Sequence, residues 1–131
     1  MSLTEAKHVW PPLKDNSPAS VHWNRIENAV GTGMSDLEGC HCGVSVWVEN
    51  KVYKGNKLVF QPTQPGWIIR RRLAGGRVFV LARKKDVFYL YDGARVNDLV
   101  ARGIDVPWDF ATERPWDWPG LLAAIFGHRV L

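Results

Sequence analysis

Cysteine is scarce: Cys40 and Cys42 are the only two in a chain of 131 residues. They stand too close together for an ordinary structural disulfide and are too few for a disulfide framework. With His41 between them they make only a weak zinc signal, because structural zinc usually takes Cys-x2-4-Cys with a second ligand pair. Two thiols beside a turn are expected instead. Long hydrophobic runs are also missing, so no segment is expected to span a bilayer. Residues 1–13 carry Glu5, Lys7 and two prolines in place of the apolar run of a secretory signal, and the expectation is a soluble, cytoplasmic protein. Gly31-x-Gly33 lacks the third glycine and the preceding strand of a dinucleotide fingerprint. No Gly-x-Ser-x-Gly elbow is present, and His8, His22, His41 and His128 show no metal-binding helix spacing.

What is present is a composition that is 46% hydrophobic with seven tryptophans, enough for one globular domain with a real core. The net charge is +4, and the excess is uneven. Arg70, Arg71, Arg72, Arg77, Arg83, Lys84 and Lys85 fall in one short stretch, while acidic residues dominate the C-terminal tail. A basic stripe suits a polyphosphate partner, because each neutralised phosphate releases counterions. A solvated basic face is the other reading of the same residues.

Residues 1–16, with Pro11-Pro12, read as an irregular arm. Ser17 as N-cap and Pro18 at the first helical position predict a helix over 17–30 that Gly31 and Gly33 end. Trp23, Ile26, Glu27 and Val30 then share one face, which puts a carboxylate in the apolar stripe. Segments 36–42 and 44–51 predict a hairpin turning at Gly43, with Val44, Val46 and Val48 on one face and Trp47, Glu49 and Lys51 on the other. Pro65 opens a helix that closes at Gly75-Gly76. Residues 77–83 and 87–91 read as strands joined at Lys84-Lys85-Asp86, 94–102 as a short helix and 121–126 as a last one. The pattern predicts an α/β fold with a mixed central β-sheet flanked by helices. Its segments are the arm, a core over 17–104 and a Trp/Pro-rich extension over 105–131.

Four ionisable groups suited to phosphodiester chemistry, three carboxylates and one amine, fall between residues 27 and 51: Glu27 on the helix, Asp36 at a strand start, and Glu49 with Lys51 on one strand face. Phosphodiester hydrolysis needs hard cations, and magnesium takes oxygen ligands, one or two of them carboxylates. Asp36 and Glu49 meet that need if their strands pair. A lysine two residues after the glutamate can orient and deprotonate the attacking water or stabilise charge growing on the phosphate. The same Glu-x-Lys spacing also arises as a surface ion pair. Glu27 has its own plain alternative, a helix-edge residue satisfied by Arg25 or a backbone amide.

The stretches RIENAVGTGMSDLEG, VSVWVENK and QPTQPGWIIRRRLAGGRVFVLARKKD together resemble the Holliday-junction-resolvase-like and VRR-NUC branch of the PD-(D/E)xK nuclease superfamily, often found in phages. The resemblance covers about residues 21–92. It implies a restriction-endonuclease-like core, Glu27, Asp36 and Glu49 as metal ligands directly or through water, Lys51 as catalytic lysine and Gln64 as a supporting polar residue. Gln64 is preferred to Gln61 for its Gln-x-x-Trp spacing to Trp67. The implied activity is a Mg2+-dependent endodeoxyribonuclease, with Mn2+ substituting, acting on branched DNA and working as a homodimer with the Trp108 to Trp118 region as candidate interface. Arg70, Arg71, Arg72, Lys84 and Lys85 are the expected phosphate contacts. Two departures stand out: Ser35 replaces the usual proline before Asp36, and Asn50 replaces an apolar residue inside Glu-x-Lys, which suggests an edge strand or a modified site. The rival functions are a nucleic-acid-binding module of the same fold without turnover and a phage-encoded inhibitor that binds an acidic protein.

Overall fold

The computed structural model describes residues 2–26 and 32–131. Six strands form one sheet in the order β1 (His22–Arg25), β2 (Leu37–His41), β3 (Val44–Val52), β4 (Arg77–Lys84), β5 (Val87–Asp92) and β6 (Phe110–Glu113). All neighbours are antiparallel except β3 and β4, which run parallel. Parallel strands need a crossover. Helix α3 (Gln64–Leu73) makes it, entered through Pro65. The chain is therefore an α/β protein with a mixed sheet flanked by helices.

Strand alternation sorts the core into two layers. On one face Val46, Val48, Phe79, Leu81, Phe88 and Leu90 pack with Val9, with Leu13 of α2 (Trp10–Asp15) and with Leu121, Leu122, Ile125 and Phe126 of α5 (Trp118–Phe126). On the other, Val78, Val80, Ala82 and Tyr91 pack with Ile68 of α3 and with Val96 and Leu99 of α4 (Val96–Arg102). Each fully buried Leu, Ile or Phe contributes about 1.5–3 kcal/mol by leaving water.

Several expectations change. Residues 5–15 are not irregular: α1 (Glu5–His8) and α2 occupy them, and Pro11 falls in the first turn of α2, where a missing N–H costs nothing. The helix over 17–30 does not form across its described part. Ser17 instead donates its hydroxyl to the Leu13 carbonyl and accepts from the Trp23 indole, and residues 22–25 pair with β2. As a strand residue, Trp23 lies flat over Gly39, where any side chain would collide with the ring, and reaches Phe126. Pairing with β2 thus lets the Trp23 ring leave water in part against Gly39 and Phe126. Glu27 and the rest of that predicted helix, residues 28–30, lie outside the described residues. Residues 105–131 supply β6 and α5 to the same sheet and core. Trp118 is buried against Phe88 and Trp116 donates its indole N–H to the Asp86 carbonyl, so two of the three tryptophans of the candidate interface are used internally and Trp108 alone of the three stays exposed.

Candidate active site

The β2–β3 connection is a two-residue turn, Cys42 and Gly43, both at positive φ. It fixes a register in which Leu37 faces Val48, so Asp36 comes opposite Glu49 one step further out. Asp36 accepts the Asn50 backbone N–H at 3.0 Å. The approach to Asp36 is held against the start of α3 at Gly33, where φ is +81° and a Cβ would strike the Thr63 carbonyl.

Glu49 and Lys51 project to the α3 face, toward Gln64 in the first turn of α3. Glu49 is 1% exposed, Lys51 and Gln64 each 7%. Gln64 donates its amide to Glu49 Oε2 at 3.0 Å and accepts from the Gln61 backbone N–H at 2.9 Å. Lys51 Nζ donates to Gln64 Oε1 at 2.9 Å and to the Val59 carbonyl at 2.8 Å, lies 3.6 Å from Glu49 Oε2, and sits over the Phe60 ring. Gln64 is thus the bridge between the acid and the base of Glu-x-Lys, while Gln61 is exposed and enters only through its backbone.

The electrostatics are those of two carboxylates sharing one site. Burial, then repulsion from Asp36, pushes the Glu49 carboxyl up to about 9, and the pull of the Lys51 ammonium does not offset them. Burial also raises Asp36, with a further push from Glu5, against the opposing hydrogen bonds from Glu49 and the Asn50 backbone. So close together the two carboxyls do not both ionise at neutral pH, and the metal-free pair holds one proton between them. Among the described residues no N–H or hydroxyl donor reaches the buried Glu49 Oε1. A buried carboxylate oxygen without a donor is costly, and a hard cation between the two acids would satisfy it.

Glu5 is a further carboxylate beside Asp36 that the sequence did not single out, and Glu49 and Lys51 do not line the cleft that it shares with Asp36. From α1 it lines a cleft of about 440 Å³ together with Asp36, Asn50, Arg25 and Trp10. Its only signal in the sequence is an acidic side chain in the turn before a buried Val9. Asn50 differs from expectation as well: β3 is central, not an edge strand, and Asn50 is buried with no partner for its Oδ1 among the described residues. Ser35 Oγ shares that condition beside Asp36.

The basic stretch is not one stripe. Arg70, Arg71 and Arg72 lie in the last turn of α3 and Lys84 and Lys85 at the β4–β5 turn, at opposite ends of β4. Arg71 stacks over Trp47 and Trp67, Arg72 pairs with Asp92 at 2.8 Å, and Lys84 donates to the Asn56 side chain. Arg83 is buried and donates to the His8 and Lys85 carbonyls, and Arg77 to those of Ile125 and Ala124, so both are structural.

No protein-family model matches the chain, and no curated protein matches it. Among solved structures it is similar to Archaeoglobus fulgidus Hjc, a Holliday junction resolvase from an archaeal hyperthermophile, at 12% sequence identity over 64% of this chain and 69% of that one, with a TM-score of 0.48.

Proposed function

We propose that this chain is a metal-dependent endonuclease that hydrolyses DNA phosphodiesters, with Asp36, Glu49 and Lys51 at its centre. The observation that carries the reading is the buried Glu49 carboxyl, one oxygen held by Gln64 and Lys51 and the other, beside Asp36, reached by no N–H or hydroxyl donor among the described residues. Asp36 and Glu49 would hold Mg2+, or Mn2+ in its place, with Glu5 across the cleft in the part that the resemblance gives to Glu27. When bound, the cation supplies Lewis acidity to the phosphoryl group and a more acidic water.

The chain's own residues do the rest. Gln64 keeps the Glu49 carboxyl turned toward Asp36. Lys51, fixed by the Val59 carbonyl and Gln64, presents positive charge where negative charge grows on the phosphate. Phe60 and the β3 backbone shield that ammonium from water, which strengthens its field. Arg70 and Arg71 are the phosphate contacts best placed to hold substrate, since Arg72 is already paired. Branched DNA is the proposed substrate class, and a homodimer the proposed working form.

The test is incubation of purified protein with labelled linear, flap and four-way DNA, in magnesium or in chelator. Nicking in magnesium alone, lost in Glu49→Gln, supports the reading. An inert wild type on every substrate, with magnesium bound, overturns it in favour of a binding module.

A further inference from the structure

A second cluster of metal-ligating side chains lies away from the carboxylates. His41 ends β2, Cys42 is the first turn residue, and His128 follows the C-cap of α5. Gly127, in the left-handed region at φ +77°, turns the chain after α5 so that His128 comes to rest on His41. Their ring nitrogens, Nδ1 of His41 and Nε2 of His128, are 2.7 Å apart, and Cys42 Sγ is 3.8 Å from His41 Nε2. One ligand atom from each of the three residues falls within 4.8 Å of the others.

We propose that His41, Cys42 and His128 form a binding site for one borderline-soft divalent cation of the zinc type, which ties the segment after α5 to the β2–β3 turn. The donor set decides the class: two imidazoles and a thiolate suit zinc and its neighbours and disfavour magnesium. Bond lengths for zinc require N···N separations of roughly 3.3 Å and N···S of roughly 3.6 Å in a tetrahedron. One ion takes only one His41 nitrogen, whereas His128 meets Nδ1 and Cys42 meets Nε2; with one donor atom of each residue within 4.8 Å of the others, the set reaches its places by shifts on the order of an ångström. Two features point to a ligand role over mere proximity. Cys42 occupies the left-handed region at φ +48°, where Asn or Gly is the usual choice for such a turn, so the thiol stands at a position its backbone disfavours. His41 is 5% exposed and packs on Phe126, so its ring is held in place and partly dry, as metal-binding imidazoles are. Cys42 is exposed, which leaves the fourth position to water. On binding, the Cys42 thiol gives its proton to solvent, and each imidazole keeps its single proton on the nitrogen not bound to the ion.

Cys40 is not part of the set. It points to the opposite face of β2, so the Cys-His-Cys run acts through its second and third members, joined by a histidine 87 residues away from His41. The site also stands apart from Asp36 and Glu49: Glu49 lies five positions beyond Val44 along β3, roughly 16 Å of strand.

The test is cobalt(II) titration of the full chain, followed by competition with zinc. The expected result is one sulfur-bound cobalt per chain, read from a near-ultraviolet thiolate-to-cobalt charge-transfer band and tetrahedral visible bands that zinc bleaches. Cys42→Asn, which suits the positive φ and so folds, should abolish the charge-transfer band. His128→Gln should weaken binding by at least roughly a hundredfold, more than loss of an outer hydrogen-bond partner costs. Cys40→Ser and Glu49→Gln should leave the band intact, which separates this site from the carboxylate pair. Zinc should raise the thermal midpoint of wild type but not of Cys42→Asn. Absence of the band in folded wild type, its loss in Cys40→Ser, or unchanged affinity in His128→Gln would each overturn the proposal.

Discussion

Replacing Glu49 by Gln should make the metal-free protein more stable while ending its metal response. Burial and Asp36 raise the Glu49 carboxyl to about 9 from an ordinary 4.5. An acid raised in the folded state keeps a proton that the unfolded chain has already released, so this group's contribution to stability is fully present below pH 4.5 and is lost as pH rises toward 9. At 1.36 kcal/mol per unit, the loss accumulated by pH 7 is about 3 kcal/mol. A glutamine side chain has the same shape and no charge to bury. Its oxygen can take the Gln64 and Lys51 contacts and its amide can donate to Asp36, so most of that loss should be recovered. The assay is urea denaturation in chelator between pH 5 and 9 for both proteins. Wild type should lose stability steadily across the range, whereas Glu49→Gln should follow a much flatter line, with the gap widest at the alkaline end. Magnesium binding to wild type should release about one proton, so its affinity should rise close to tenfold per pH unit from pH 6 to 8. Parallel stability profiles, or a destabilised Glu49→Gln at pH 7, would refute the charge assignment on which the metal reading rests.

Asp36→Asn should keep fold and DNA binding in chelator, with binding slightly tighter because a carboxylate near the phosphate path is gone, while cleavage collapses across a magnesium titration. Retained cleavage at ordinary magnesium would remove Asp36 from the metal site. Lys51→Ala should lose cleavage and also about 1–3 kcal/mol of stability, because the Val59 carbonyl and Gln64 Oε1 lose their donor. Lys51→Met, which refills the volume, separates the two effects in a cleavage assay with parallel denaturation. Glu5→Gln should raise the magnesium needed for half-maximal cleavage without changing the fold, and an unchanged requirement would leave Glu5 as a bystander. Neutralising Arg70 and Arg71 should weaken DNA binding for all sequences and flatten the salt slope by about two. A loss confined to one sequence would argue for base reading instead.

The parts legible in sequence were those whose signals are local. Alternation over residues 44–51 assigned Glu49 and Lys51 to one face and the valines to the other, as β3 has them. Pro65 and Gly75-Gly76 bounded α3, and the Gln-x-x-Trp spacing selected Gln64, which the structure joins to both Glu49 and Lys51. What failed depended on distant partners. Residues 17–30 carry a helical spacing that begins at Trp23, but 22–25 are an edge strand because Gly39, on the neighbouring strand, leaves room for the Trp23 ring. No property of residues 17–30 encodes that vacancy. Glu5 was hidden for the same reason: two short helices of four and six residues carry too few periodic positions to register, and their stability comes from burying Val9 and Leu13 under the sheet.

The pairing of Asp36 with Glu49 lies between these cases, because it turns on a single residue. Antiparallel partners across β2 and β3 are set by the turn, and with Cys42 and Gly43 as its two residues His41 pairs with Val44 and Leu37 with Val48. Asp36 then opposes Glu49. Were the turn one residue longer on the β2 side, the whole of β2 would slip by one, and the side chains of Leu37, Gly39 and His41 would exchange faces with those of Glu38 and Cys40. The apolar requirement decides the matter, since Leu37 is fully buried beside Val48 and Glu38 could not take its place. A left-handed cysteine in the turn is therefore part of what brings two carboxylates together at the far end of the hairpin, and the register of the candidate active site is fixed by the packing of Leu37 as much as by the acids themselves.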